Sequence, residues 1–178
     1  MSDFDESKVT RDERGRFSSG MEGFVAKHTG RYASALVSRA EATGGFSYRP
    51  GASKANRTPT DGFMVSHDPK AGFGHVIEIE KMAMRDPPPS RAELREEIKS
   101  AVKDWLAKSM TKIQGKDDHY LGGWFERNED GTPKALHLDV SQHFPSKEKA
   151  VAAGRERNQL AIWDVKNKAE IDTGGTGR

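Results

Sequence analysis

The chain contains no cysteine in 178 residues. A disulfide framework and a thiolate zinc site are therefore excluded. It also lacks any apolar run near the ~20 residues of a membrane-spanning helix, so no membrane partner is expected. The N-terminus, Met1-Ser2-Asp3-Phe4-Asp5-Glu6, is acidic and without an apolar stretch, which argues against a secretory signal. Charge of one sign is missing too: 29 basic residues face 27 acidic ones, for a net +2. That balance does not indicate nucleic acid as a partner. Large apolar residues are few, with Leu, Ile, Val and Phe together numbering 30. So low a share accompanies disorder only when net charge is high, and here it is not.

The 30 are unevenly placed, with 8 in residues 1–60 and 22 in residues 61–172. The expected organisation follows from this. Residues 1–20 read as a disordered charged tail, too poor in apolar area to offset its ordering entropy. Residues 21–61 read as a weak helix, starting near Thr29, firmer from Arg31 to Ala42 and stopped by Thr43-Gly44-Gly45, followed by a flexible loop. Residues 62–172 read as the globular domain, and residues 173–178 as a frayed Gly-rich end.

Within the domain, Gly62–His67 and His75–Glu80 have strand character, and the turn chemistry between them suggests a hairpin. Ser90 to Met110 is the clearest helix. Ser90 and Glu93 have capping-box spacing, and Leu94, Ile98, Val102, Trp105, Leu106 and Met110 draw one apolar stripe. Strands follow at His119–Arg127 and Ala135–Ser141, joined by a segment with the Asp130-Gly131 turn signal. Gly122-Gly123 inside the first of these suggests a bulge or a close backbone approach. A short helix over about Lys147–Arg157 and a strand over Gln159–Val165 complete a crossover unit. The predicted fold class is α+β: a small mixed, mostly antiparallel sheet of about five strands. One long amphipathic helix and a short crossover helix pack it.

Candidate chemistry is sparse. His137 and Asp139 share one strand face. With His119 on the neighbouring strand, or His143, they are the candidates for a His/carboxylate metal site, and the His–Asp pair for acid–base work, although nothing supplies a nucleophile or an oxyanion donor set. No metal ligand set and no cofactor is assigned. Arg155, Arg157, Asn158 and Gln159, in Gly154-Arg-Glu-Arg-Asn-Gln159, form the densest polar cluster and the candidate binding site for an anionic or amide-bearing partner. Arg157 at a helix C-terminus and Asn158 as a cap also have purely structural reasons to be there.

Arg11-Asp-Glu-Arg-Gly-Arg-Phe17 resembles a short motif of head-associated and minor capsid polypeptides of tailed phages. Tyr120-Leu-Gly-Gly-Trp124, Leu138-Asp-Val-Ser141, Gly154–Gln159 and Ala161-Ile-Trp-Asp164 together resemble an uncharacterised domain of actinobacterial phages, found alone or with head morphogenesis proteins. The resemblance implies a non-enzymatic accessory or interaction module of the virion or its assembly. Its partner would be another phage or host protein, and its place the virion or the host cytoplasm. The alternative is a small phage-encoded enzyme or host-directed effector using a polar His/Asp/Arg site on the sheet face.

Overall fold

The computed structural model describes residues 19–67, 72–113 and 115–177. The expected charged tail lies outside these residues except for Ser19 and Gly20, which open the first helix. In chain order the elements are α1 (Ser19–Thr43), β1 (Gly45–Tyr48), β2 (Phe63–Ser66), β3 (His75–Ile77), α2 (Ile79–Ala83), α3 (Arg91–Lys112), β4 (His119–Arg127), β5 (Pro133–Phe144), α4 (Lys147–Glu156), β6 (Ala161–Asp164) and β7 (Ala169–Asp172).

The α+β class holds. The strands form one sheet in the order β1-β4-β5-β2-β6-β7, with β3 pairing to β5 as well. Every hydrogen-bonded pair is antiparallel. Seven strands stand where five were expected; β1 and β7, four residues each, are the additions. The crossover unit is present in a split form. β5 and β6 run in the same direction, but β2 lies between them, antiparallel to both.

The hairpin expected across residues 62–80 does not form. β2 pairs with Ser141–Phe144 and β3 with Leu136–Leu138, so the two follow one another along one edge of β5. Twelve residues of β5 give edge enough for both. The strand expected to Glu80 ends at Ile77, where the chain turns into α2 and brings Ile79 back to the core.

The capping box at Ser90 is real: Glu93 N–H donates to Ser90 Oγ (3.3 Å) and Ser90 N–H to Glu93 Oε2 (2.8 Å). α3 buries Ile98, Val102, Trp105, Leu106 and Met110. The Trp105 indole N–H donates to Phe73 O (3.2 Å). α1 adds Ala33, Leu36, Val37 and Ala40 to the same core. Arg95 ties the two helices together, donating to both oxygens of Glu41 (3.0 and 2.9 Å) and to Ser38 Oγ (2.9 Å). The packed body therefore reaches N-terminal of residue 62, and α1 runs through Gly30 rather than starting near Thr29.

The double glycine is a close approach, not a bulge. A Cβ at Gly122 would stand 2.2 Å from Asp139 Oδ1; one at Gly123, on the opposite face, would stand 2.6 Å from the Phe46 ring and 3.0 Å from Leu138. Residues 173–177, read as a frayed end, are tied down. Thr173 is buried and its N–H donates to Leu160 O (3.0 Å); Gly177 N–H donates to Asn158 O (2.9 Å). Gly154 of α4 sits against Thr173 and Ile162.

Gly123→Ala should cost about 1–3 kcal/mol, since the added methyl meets the buried Phe46 ring and Leu138. Gly30→Ala, with nothing within 4 Å of its added methyl, should instead stabilise by about 0.5–1 kcal/mol. Urea denaturation of both variants checks the pair of opposite signs.

Candidate functional site

The sheet has a helix-bearing face and an open face. On the first, two apolar clusters form. One lies beneath α1 and α3 and takes in Leu121, Leu136, Leu138 and Val140; the other gathers Val65, Ala150 and Ile162 beneath α4. Between them runs a polar seam. Register places His119, Gln142 and Val65 side by side across β4, β5 and β2. Arg157, at the C-cap of α4, reaches back over that row. Its Nη2 donates to Gln142 Oε1 (2.5 Å) and its Nη1 to Val65 O (3.3 Å), with the guanidinium 5.8 Å from the Phe144 ring centre. Gln142 Nε2 donates in turn to Asp118 Oδ2 (2.7 Å), and Asp118 Oδ1 meets His119 Nδ1 at 2.6 Å. The buried His119 ring stacks on His67 at 4.9 Å, and His67 stacks on Phe73 at 4.8 Å.

The charges of the seam follow from this packing. Burial alone would raise the Asp118 carboxyl, but hydrogen bonds from Gln142 and His119 hold it below its ordinary value. Burial, and then the nearby Arg157, His119 and Lys116, push His67 down to about 4. Its Nε2 is buried without a hydrogen-bond partner, so a proton there would find no acceptor. Desolvation likewise lowers Arg157.

The open face carries a different set. Asp139 lies over the bare backbone of Gly122 and accepts from Ser66 Oγ and, at 3.1 Å, from Ser141 Oγ. Burial raises its carboxyl above the usual carboxylate range, against the pull of those two hydroxyls. His137 bonds Glu126 (2.9 Å) and stacks face to face on Trp124, with centroids 4.2 Å apart and planes within 5°. Lys134 and then His137 hold Glu126 below its ordinary value.

The candidates drawn from sequence are therefore divided. His119 and Arg157 share the seam, linked through Asp118 and Gln142. His137 and Asp139 sit on the other side of the sheet, because Leu136, Leu138 and Val140 claim the helix-bearing face and period two sends residues 137 and 139 the other way. The four do not converge on one pocket. His143 also faces the open side, with Nε2 2.9 Å from Asp61 O. Among the described residues no group of three His, Cys, Asp or Glu could hold a metal ion. The Arg155–Gln159 cluster serves the chain itself. Arg155 Nε donates to Thr173 O (3.0 Å), Asn158 at φ 52° bonds Thr176, and Gln159 O accepts from Thr173 Oγ1. Only Arg157 leaves this clasp. Asp118, Gln142 and His67 were not singled out from the sequence; only register shows that they meet. No family model, curated protein or solved structure matches the chain.

The folded-state pKa of His67 lies below the ordinary imidazole value of about 6.5. Between these values the unfolded chain binds more protons, so the contribution of His67 is complete above pH 6.5 and is lost as pH falls toward 4. Melting curves of the native chain and of His67→Phe, compared at pH 7.5, 5.5 and 4.5, should show a loss on acidification that is larger in the native chain.

Proposed function

We propose that the chain is a non-enzymatic interaction module, an accessory of a tailed-phage particle or of its head assembly, acting in the virion or in the host cytoplasm. The single observation that carries this reading is the open sheet face. Of the five large apolar side chains exposed among the described residues, Trp124, Val76 and Trp163 all project from it. Trp124, His137 and Val76 are direct neighbours across β4, β5 and β3. They make a rigid row of an indole, an imidazole and an isopropyl group, with the indole half exposed. Half-exposed aromatics on a fixed scaffold are the anchors that protein interfaces favour. The likeness of Tyr120–Trp124, Leu138–Ser141 and Ala161–Asp164 to a domain of actinobacterial phages supplies the setting, and the division of the polar groups between two faces leaves no shared catalytic pocket.

The expected partner is another phage or host protein. Mass spectrometry of purified particles should find the chain, and pull-down from infected cells should return a phage head protein. Trp124→Glu should weaken that capture at least tenfold while lowering stability by no more than about 1 kcal/mol, the value of a cross-strand stacked pair. Particles without the chain, together with pull-downs that return no phage protein, would overturn the reading.

A further inference from the structure

The seam holds an arginine, Arg157, that forms no ion pair among the described residues, although Glu156 and Asp118 act on it from a distance. Arginine has five N–H donors. In Arg157 two of them reach Val65 O and Gln142 Oε1, both neutral oxygens, which leaves three. Among the described residues no carboxylate forms an ion pair with it. The nearest acidic group in the network, Asp118, is held one residue away, because its two oxygens are already engaged by His119 and by the Gln142 amide. Gln142 thus separates Arg157 from Asp118 while bonding both. Glu156, the preceding residue, is exposed.

A second, independent observation comes from His67. Its buried Nε2 has no partner, and the groups that act on it are Arg157 from the end of α4, His119 and Asp118 from the start of β4, and Lys116 from the turn before β4. Of these, Arg157 and Lys116 are cations against the single carboxylate of Asp118, so the balance of charge facing His67 is positive. On the β4 side Lys116 is exposed and the Asp118 side chain is 48% exposed.

We propose that this seam, between the α3-side and α4-side cores, binds an oxyanion — a phosphate or a carboxylate group — against the guanidinium of Arg157, with Lys116 as the outer cation. Arginine suits this role because its planar fork matches two oxygens of either group. The site lies on the face opposite Trp124, so it stands or falls separately from the interaction surface of the open face. Bound negative charge relieves the positive potential and makes His67 more basic, which gives the site its own reporter.

The experiment is a titration of the full chain at pH 6, followed through the imidazole carbon–proton signals of His67 and His119. Sodium phosphate and sodium acetate form two arms, and sodium chloride at matched ionic strength forms the reference. Saturable shifts with a midpoint on the order of 1–10 mM are expected for a charge-assisted site of this size, with a rise in the apparent pKa of His67. Phosphate binding at least tenfold tighter than acetate assigns a phosphoryl ligand; comparable midpoints assign the carboxylate of an acidic segment. Lys116→Gln, at an exposed position, should weaken binding about threefold, and Arg157→Gln should abolish it. Shifts that stay linear and match chloride in the native chain overturn the proposal, whatever the variants do. So does saturable binding that survives unchanged in Lys116→Gln and in a folded Arg157→Gln.

Discussion

The β4–β5 ladder is the constraint on which the other elements depend. β5 carries β4 along one edge and both β2 and β3 along the other; β1 then joins through β4, and β6 and β7 through β2. A ladder paired from His119–Gln142 to Arg127–Pro133 cannot slip by one residue without exchanging Leu121, Leu136, Leu138 and Val140 for Asp139, Ser141 and His137. The two glycines fix the same register sterically. Gly122 leaves space on the open face for the Asp139 carboxyl, and Gly123 leaves space on the other for Phe46 and Leu138. Without side chains of their own, they let the neighbouring groups close over the backbone from both sides. β1 is drawn to β4 by this recess, since Phe46 pairs directly with Gly123.

A sheet this wide, covered by α1 and α3 at one end and α4 at the other, must leave a boundary between its helices. The protein fills that boundary with polar groups rather than apolar ones. Gln142 is well suited to the place. Its amide donates to a carboxylate on one side and its carbonyl accepts from a guanidinium on the other, so two opposite charges are held apart and both are solvated by one neutral side chain. A direct Asp118–Arg157 ion pair would fill the same gap, but desolvating two charges in contact offsets much of their attraction. His67 extends the boundary with a ring that packs as an apolar plate so long as it stays neutral.

Local signals were readable wherever the physics is local. Ser90 and Glu93 announce α3, the heptad-like spacing through Trp105 announces its buried stripe, and His119–Arg127 has the same bounds in the sequence reading as in the fold. Asp130-Gly131 acts as the turn it resembles. What could not be read depends on partners far along the chain. β2 and β3 look like a hairpin until a twelve-residue β5 offers both a place on one edge. Residues 173–177 look frayed because Gly-rich composition says nothing of Asn158, whose left-handed backbone aims its amide at Thr176. The seam was half legible: His119 and Arg157 stood out as polar residues in the right elements, but Asp118 and Gln142 lie 24 residues apart and carry no motif. His137 and Asp139 were correctly seen to share a face; that this is the face His119 does not share follows only from which residues of β5 the helices cover.

The period-two alternation of β5 therefore does more than separate core from solvent. Along one strand it alternates residues of two different surfaces: His137, Asp139, Ser141 and His143 outward, and Leu136, Leu138, Val140 and Gln142 toward the helices. The first set is bounded by Trp124, and within it Ser141 is buried; the second ends in Gln142, beside Arg157. Ser141 and Gln142, adjacent in sequence, lie on opposite sides of the sheet. A strand held in this way can present two unlike chemistries at once, one for shape and one for charge, without either needing a pocket of its own.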